Sequence, residues 1–175
     1  MRAAVQAERV ALVAVVALAA GLRFLALGHA YEPDEFANLM HAPTLWQVIT
    51  DPESGVNPPL LRALFGVPFA EPDTLRFGRW FTWACSVASV PLGGLLARRL
   101  TGSALAGLAA AWMIATLPYG VHMGARFRSY APFCATLALH LLALEAWVRA
   151  RTQGHTSRSQ ELTLVTTAAL LPQWH

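Results

Sequence analysis

Three acids fall within four positions at Glu32-Pro33-Asp34-Glu35, directly after an apolar run long enough to cross a bilayer. A carboxylate pair in such a place can take a proton from an attacking hydroxyl, ligate a divalent metal, or stand as a solvated loop. Asp34, at the centre of the cluster, and Glu35 beside it are the candidate catalytic residues. Far along the chain, Arg126 and Arg128 precede Tyr130 at the mouth of another apolar segment. Arginine stabilises a developing phosphate charge through paired N–H donors and does not deprotonate. Tyr130 can hydrogen-bond while its ring stays at a membrane interface. Proton acceptance from a hydroxyl, with a phosphate as leaving group, is the chemistry these residue types could support together.

Composition says what must position them. Of 175 residues, 55% are hydrophobic and only 13% charged, against about 25% charged in a typical soluble domain. Every basic residue is Arg, and the net charge of +3 is dispersed, with no basic run interleaved with aromatics. Nucleic acid is therefore not an expected partner; the membrane is. Cys85 and Cys134 sit in apolar segments without metal-ligand spacing and are expected to be small buried hydrophobes. His29, His41 and His122 show no ligand spacing either, so no metal centre or cofactor is expected from them, although a divalent ion at the acidic pair stays open.

Four apolar segments of spanning length follow in order, near residues 10–28, 77–96, 104–121 and 130–148. Arg23, one turn from the end of the first, is expected to lie along lipid and reach the interface with its head. Pro91 and Gly93-Gly94 in the second predict a kink or close helix contact, and Gly102, Ala106, Gly107, Ala110 and Ala111 give the third a small-residue face. A fifth apolar stretch, Leu162 to Leu171, is too short to span. Between the first two segments, Phe36, Leu39, Met40, Leu45, Trp46 and Ile49 recur at helical spacing, which predicts an amphipathic helix over Asp34–Thr50 lying on the membrane surface. The expectation is an all-α, polytopic helical membrane protein: a single membrane domain over 1–175, with about four transmembrane helices, a partial fifth and a surface helix in the first outer loop.

The arginines set an orientation. Arg2 and Arg9, Arg98 and Arg99, and Arg149, Arg151 and Arg158 fall on one side if four crossings alternate, and that side is cytoplasmic by the positive-inside rule. The Gly28–Arg76 loop then faces outward with its seven acids, and so does the connection carrying Arg126 and Arg128. This places the N-terminus in the cytoplasm and the candidate site on the periplasmic or extracellular face of a bacterial inner membrane.

Several motifs in this order resemble the N-terminal part of the GT-C membrane glycosyltransferases, nearest to the branch with dolichyl-phosphate-mannose–protein mannosyltransferases and the lipid A aminoarabinose transferase. They are Arg23-Phe24-Leu25 leading into Tyr31-Glu32-Pro33-Asp34-Glu35; Asn57-Pro58-Pro59-Leu60, with Asn where that family often has His; Leu75-Arg76-Phe77; Arg98-Arg99-Leu100-Thr101-Gly102; and Arg128-Ser129-Tyr130-Ala131. The resemblance implies an inverting transfer from a polyprenyl-phosphate-linked sugar to a lipid, glycan or protein acceptor. Asp34 would be catalytic, and Asn57, Arg126, Arg128 and Tyr130 would line the substrate site. It also implies eleven or more spans and a soluble outer domain, so a chain of four spans and a stub is expected to be a truncated portion of such a protein. Two other functions compete. One is a non-catalytic or degenerate membrane subunit; the other is a small transporter using Arg23, His140 and Glu145, against which the charges near helix ends and the lack of an internal repeat both argue. The plainer expectations are that His140 is an interhelical hydrogen-bond partner, that Glu145 pairs with Arg149, and that Trp80, Trp83 and Trp112 are packing or interface aromatics.

Overall fold

The computed structural model describes residues 2–30, 35, 72–155 and 157–174, and among these every regular element is helical. The helices are α1 (Arg2–Ala26), α2 (Pro72–Thr101), α3 (Ala104–Thr116), α4 (Pro118–Gly124), α5 (Tyr130–Thr152) and α6 (Arg158–Leu170), followed by a short 3-10 turn, Leu171–Trp174. Apart from Glu35, the expected surface helix over Asp34–Thr50 and the Asn57-Pro58-Pro59-Leu60 stretch lie outside the described residues.

Helix boundaries follow local chemistry. Pro72, which has no N–H to leave unsatisfied, opens α2. Gly102 closes it at φ +70°, with its N–H on the Arg98 carbonyl at 2.8 Å. Ser103 caps α3 through the Ala106 N–H, and Ser157 with Gln160 forms a reciprocal capping box at the start of α6. Three helical stretches, Ala3–Ala26, Arg76–Thr101 and Tyr130–Thr152, are long and apolar enough to cross a membrane. The third expected span is broken: α3 and α4 meet at an angle of 61° and qualify only as a pair. Pro118 is the cause, because it cannot donate to the Ile114 carbonyl four residues earlier.

Packing brings the helices into an alternating bundle. Val90 of α2, Ala19 of α1 and Ala111 and Ala115 of α3 are fully buried where the three meet. The small residues allow close approach: a Cβ on Gly94 would lie 2.9 Å from the Gly107 carbonyl, and one on Gly107 would lie 2.9 Å from the Gly94 carbonyl. The two ends of the bundle are sorted by ion pairs. Glu8 of α1 meets Arg98 of α2, and Glu145 of α5 meets both Arg99 and Arg149, so the arginines of these helix ends share one end. The opposite end gathers residues 27–30, Glu35, Arg79 and Arg126. In the orientation that the distribution of arginines implies, the Glu35 end is the outer end. α6 folds back along α5, tied by His140 to Thr167 at 3.0 Å and by Trp174 Nε1 donating to Thr136 at 3.0 Å.

Arg23 departs from its expected place. It is 1% exposed and turned into the bundle instead of reaching for the interface. Its guanidinium donates to Ser86 Oγ at 2.6 Å, to the Ala115 and Ile114 carbonyls at 3.0 and 2.9 Å, and to Ala19. The two α3 carbonyls are the ones the Pro118 break leaves without helical donors, and the end of a helix favours a cation. Cys134 also differs: it is exposed, while Cys85 is half-buried.

Candidate functional site

Glu35 is the centre of the outer end. It has no exposed surface, and Arg79 grips it with two parallel bonds, Nε to Oε1 at 2.8 Å and Nη2 to Oε2 at 2.6 Å. Arg126 Nη1 approaches Oε2 at 3.4 Å, and the Phe127 N–H donates to Oε1 at 2.8 Å. A planar fork on a carboxylate fixes orientation as well as charge, which a lysine could not do. Both oxygens are engaged, so in this arrangement Glu35 holds position.

The same arginines close the end of α1. Arg79 donates to the carbonyls of Leu27, His29 and Ala30 at 3.0, 2.8 and 3.2 Å, and Arg126 donates to Ala30 at 2.7 Å. A helix ends with carbonyls that lack intrahelical donors, and here two cations from other elements supply them. Gly78 makes room for the arrangement. A Cβ there would lie 2.5 Å from the ring of Phe127, whose side chain is 1% exposed and whose N–H holds Glu35.

The sequence-derived candidates divide into groups. Glu35 and Arg126 are brought together. Arg128 is half-buried in the same connection, its N–H on the Arg126 carbonyl at 2.8 Å. Tyr130 opens α5, half exposed, 6.5 Å between ring centroids from Tyr119, and faces a groove between α4 and α5. Asp34 and Asn57 lie outside the described residues. Arg76 is exposed and, with Trp80, Phe24 and Arg79, lines a hollow of about 460 Å³ at the outer end.

Arg79 is not among the candidates that the sequence motifs single out. Arg76, at the expected opening of the second span, drew attention instead, yet Arg79 is the one that reaches Glu35. The signal was present: an arginine three residues inside an apolar helix must face the bundle and find a partner. Among the described residues, no group of three or more His, Cys, Asp or Glu could hold a metal ion. Comparison with protein-family models, curated proteins and solved structures finds no match to this chain.

Proposed function

We propose that the chain is a membrane glycosyltransferase, or the N-terminal portion of one, moving a sugar from a polyprenyl-phosphate donor to an acceptor hydroxyl at the outer face. The observation that carries this reading is the grip on Glu35. The residue next to Asp34 is wholly buried, clamped by Arg79 and supported by Arg126 and the Phe127 N–H. The clamp holds Glu35, next to Asp34 in the sequence, against two guanidinium groups, and this supports assigning the reaction to Asp34.

In this reaction Asp34 takes the acceptor proton as the hydroxyl oxygen bonds to the anomeric carbon. The bond from that carbon to the phosphate oxygen breaks, configuration inverts, and the charged phosphate leaves on its lipid. Arg126 and Arg128 are the cations assigned to that charge, and Asn57 and Tyr130 to the substrate's polar groups. Asp34→Asn, which keeps shape but cannot take the proton at neutral pH, is expected to lower transfer by about a hundredfold to ten-thousandfold. Membrane insertion should be unchanged, and undiminished turnover of a labelled polyprenyl-phosphate sugar would overturn the assignment.

The orientation belongs to the same proposal. With Cys85 and Cys134 replaced, Ser54→Cys should react with an impermeant reagent from outside, and His155→Cys only after permeabilisation. The reverse pattern would put Asp34 on the wrong face. A second reading, a non-catalytic membrane subunit, is favoured by one observation: both oxygens of Glu35 are used in tying α2 to the α4–α5 connection. Under that reading Asp34→Asn changes nothing, while loss of the Arg79 grip still unfolds the bundle.

A further inference from the structure

The end of the bundle opposite Glu35 is where the charges of α1, α2, α5 and α6 collect. Among the described residues it carries six arginines, Arg9, Arg98, Arg99, Arg149, Arg151 and Arg158, against three glutamates, Glu8, Glu145 and Glu161. The two signs are not presented alike. Glu8 and Glu145 are drawn inward, with side chains 19% and 14% exposed. The Arg98, Arg99 and Arg149 side chains paired to them are 50%, 41% and 59% exposed. Each of these guanidinium groups meets its glutamate through one terminal nitrogen and keeps other N–H donors for a further acceptor.

Three of the arginines have no carboxylate at all. Arg9, Arg151 and Arg158 are exposed and make no ion pair among the described residues. Arg151 lies over the Trp147 ring, its guanidinium carbon 5.0 Å from the centroid. Apolar side chains stand among these cations: Leu100 beside Arg99 and Val148 beside Arg149 are both exposed. Arginines interleaved with bare Leu and Val, at the ends of helices long enough to span, fit the level where acyl chains give way to headgroups. A nucleic acid or an acidic protein would cover the arginines and leave the two apolar side chains wet.

We infer that this end of the bundle docks on an anionic lipid leaflet, holding phospholipids of net negative headgroup in preference to zwitterionic ones. Its exposed charge is positive and is spread over four helices at their ends, where such headgroups lie. Arg151 and Arg158, on either side of the turn between α5 and α6, and Arg9 on α1 are the contacts the bundle does not use for its own ion pairs. The attraction is one of charge more than of fixed geometry, so it weakens as salt shortens the reach of the field. It involves neither Asp34 nor sugar transfer, and stands whether or not the chain is a transferase.

The test reconstitutes the full chain in phosphatidylcholine liposomes with a trace of spin-labelled phosphatidylglycerol or spin-labelled phosphatidylcholine. It reads the fraction of label that the protein holds motionally restricted. Both leaflets have the same composition, so the direction of insertion does not enter. Phosphatidylglycerol should be held several-fold more strongly than phosphatidylcholine at low salt, the ratio falling towards one as salt is raised. Arg9→Gln, Arg151→Gln and Arg158→Gln together should remove most of that preference and leave the phosphatidylcholine fraction unchanged. Should the triple variant not insert, Arg151→Gln alone should still lower the ratio. Lys at the same three positions should keep most of it, since the charge is retained. Arg76→Gln, exposed at the outer end, should keep all of it. Equal holding of the two lipids by the unaltered chain would overturn the docking, as would a preference that persists at high salt or survives the Gln variants. A loss as large in Arg76→Gln would overturn its placement at this end. Displacement by inorganic phosphate or by a short RNA at constant ionic strength would assign the arginines to a free anion or a nucleic acid and overturn the leaflet.

Discussion

The two ends of the bundle use the same residue types in opposite ways. At the outer end, Glu35 and Arg79 are paired with side chains 0% and 4% exposed, and each is tied further into backbone. At the inner end, Glu145 bridges Arg99 and Arg149, whose side chains are 41% and 59% exposed. Removing one partner from a buried pair leaves a charge in a poor solvent, whereas an exposed pair falls back on water. The outer cluster therefore decides the local structure, and the inner pairs mainly trim it. Counting ion pairs would have rated the two ends alike.

The largest test of that contrast is Arg79→Met. It strands Glu35 and uncaps three carbonyls at the end of α1, and unfolding by denaturant should register a loss of about 3–5 kcal/mol. Arg79→Lys should recover only part of this, since lysine lacks the fork. Arg23→Leu comes next, at about 2–4 kcal/mol, because the Ile114 and Ala115 carbonyls lose their donors at roughly 1–2 kcal/mol each. Gly78→Ala should cost about 1–3 kcal/mol by driving Phe127 off α2. It should also perturb the Phe127 N–H bond to Glu35, visible as faster hydrogen exchange there. Glu145→Gln is the smallest, at about 0–1 kcal/mol and fading with added salt. A large salt-independent loss at Glu145, or a negligible one at Arg79, would break the contrast between the ends.

The helical class and the apolar segments were legible because hydropathy and length carry them directly. The sharing of one end by Arg98, Arg99 and Arg149 was legible too, since alternation of the crossings implies it. His140 with Thr167 and Glu145 with Arg149 followed from the need of polar groups in a bundle to find partners. Three things escaped. Arg79 was masked by the nearer charge at Arg76, because sequence proximity to a span boundary does not say which arginine turns inward. Arg23 was expected to reach the interface because its partners are remote: Ser86 and Ala115 lie 63 and 92 residues on. The break at Pro118 was the clue that carbonyls there needed a donor, and hydropathy averages across it. Of the candidate site, the meeting of Glu35 with Arg126 was anticipated only as a shared face, not as a bonded pair.

The reach of Arg23 has a consequence for how the chain is made. When α1 emerges from the ribosome, the acceptors of its guanidinium do not yet exist. A lone arginine in a membrane helix costs about 2.5–3.5 kcal/mol on insertion scales when central, and less near an end. At about 5–20 residues per second, the 92 residues separating Arg23 from Ala115 take roughly 5–20 seconds to synthesise. During that interval the guanidinium of Arg23 has none of its later acceptors on α2 and α3. Only when α3 ends at its proline does Arg23 gain the Ile114 and Ala115 carbonyls, so among the described helices the earliest translated is one of the last to be fixed.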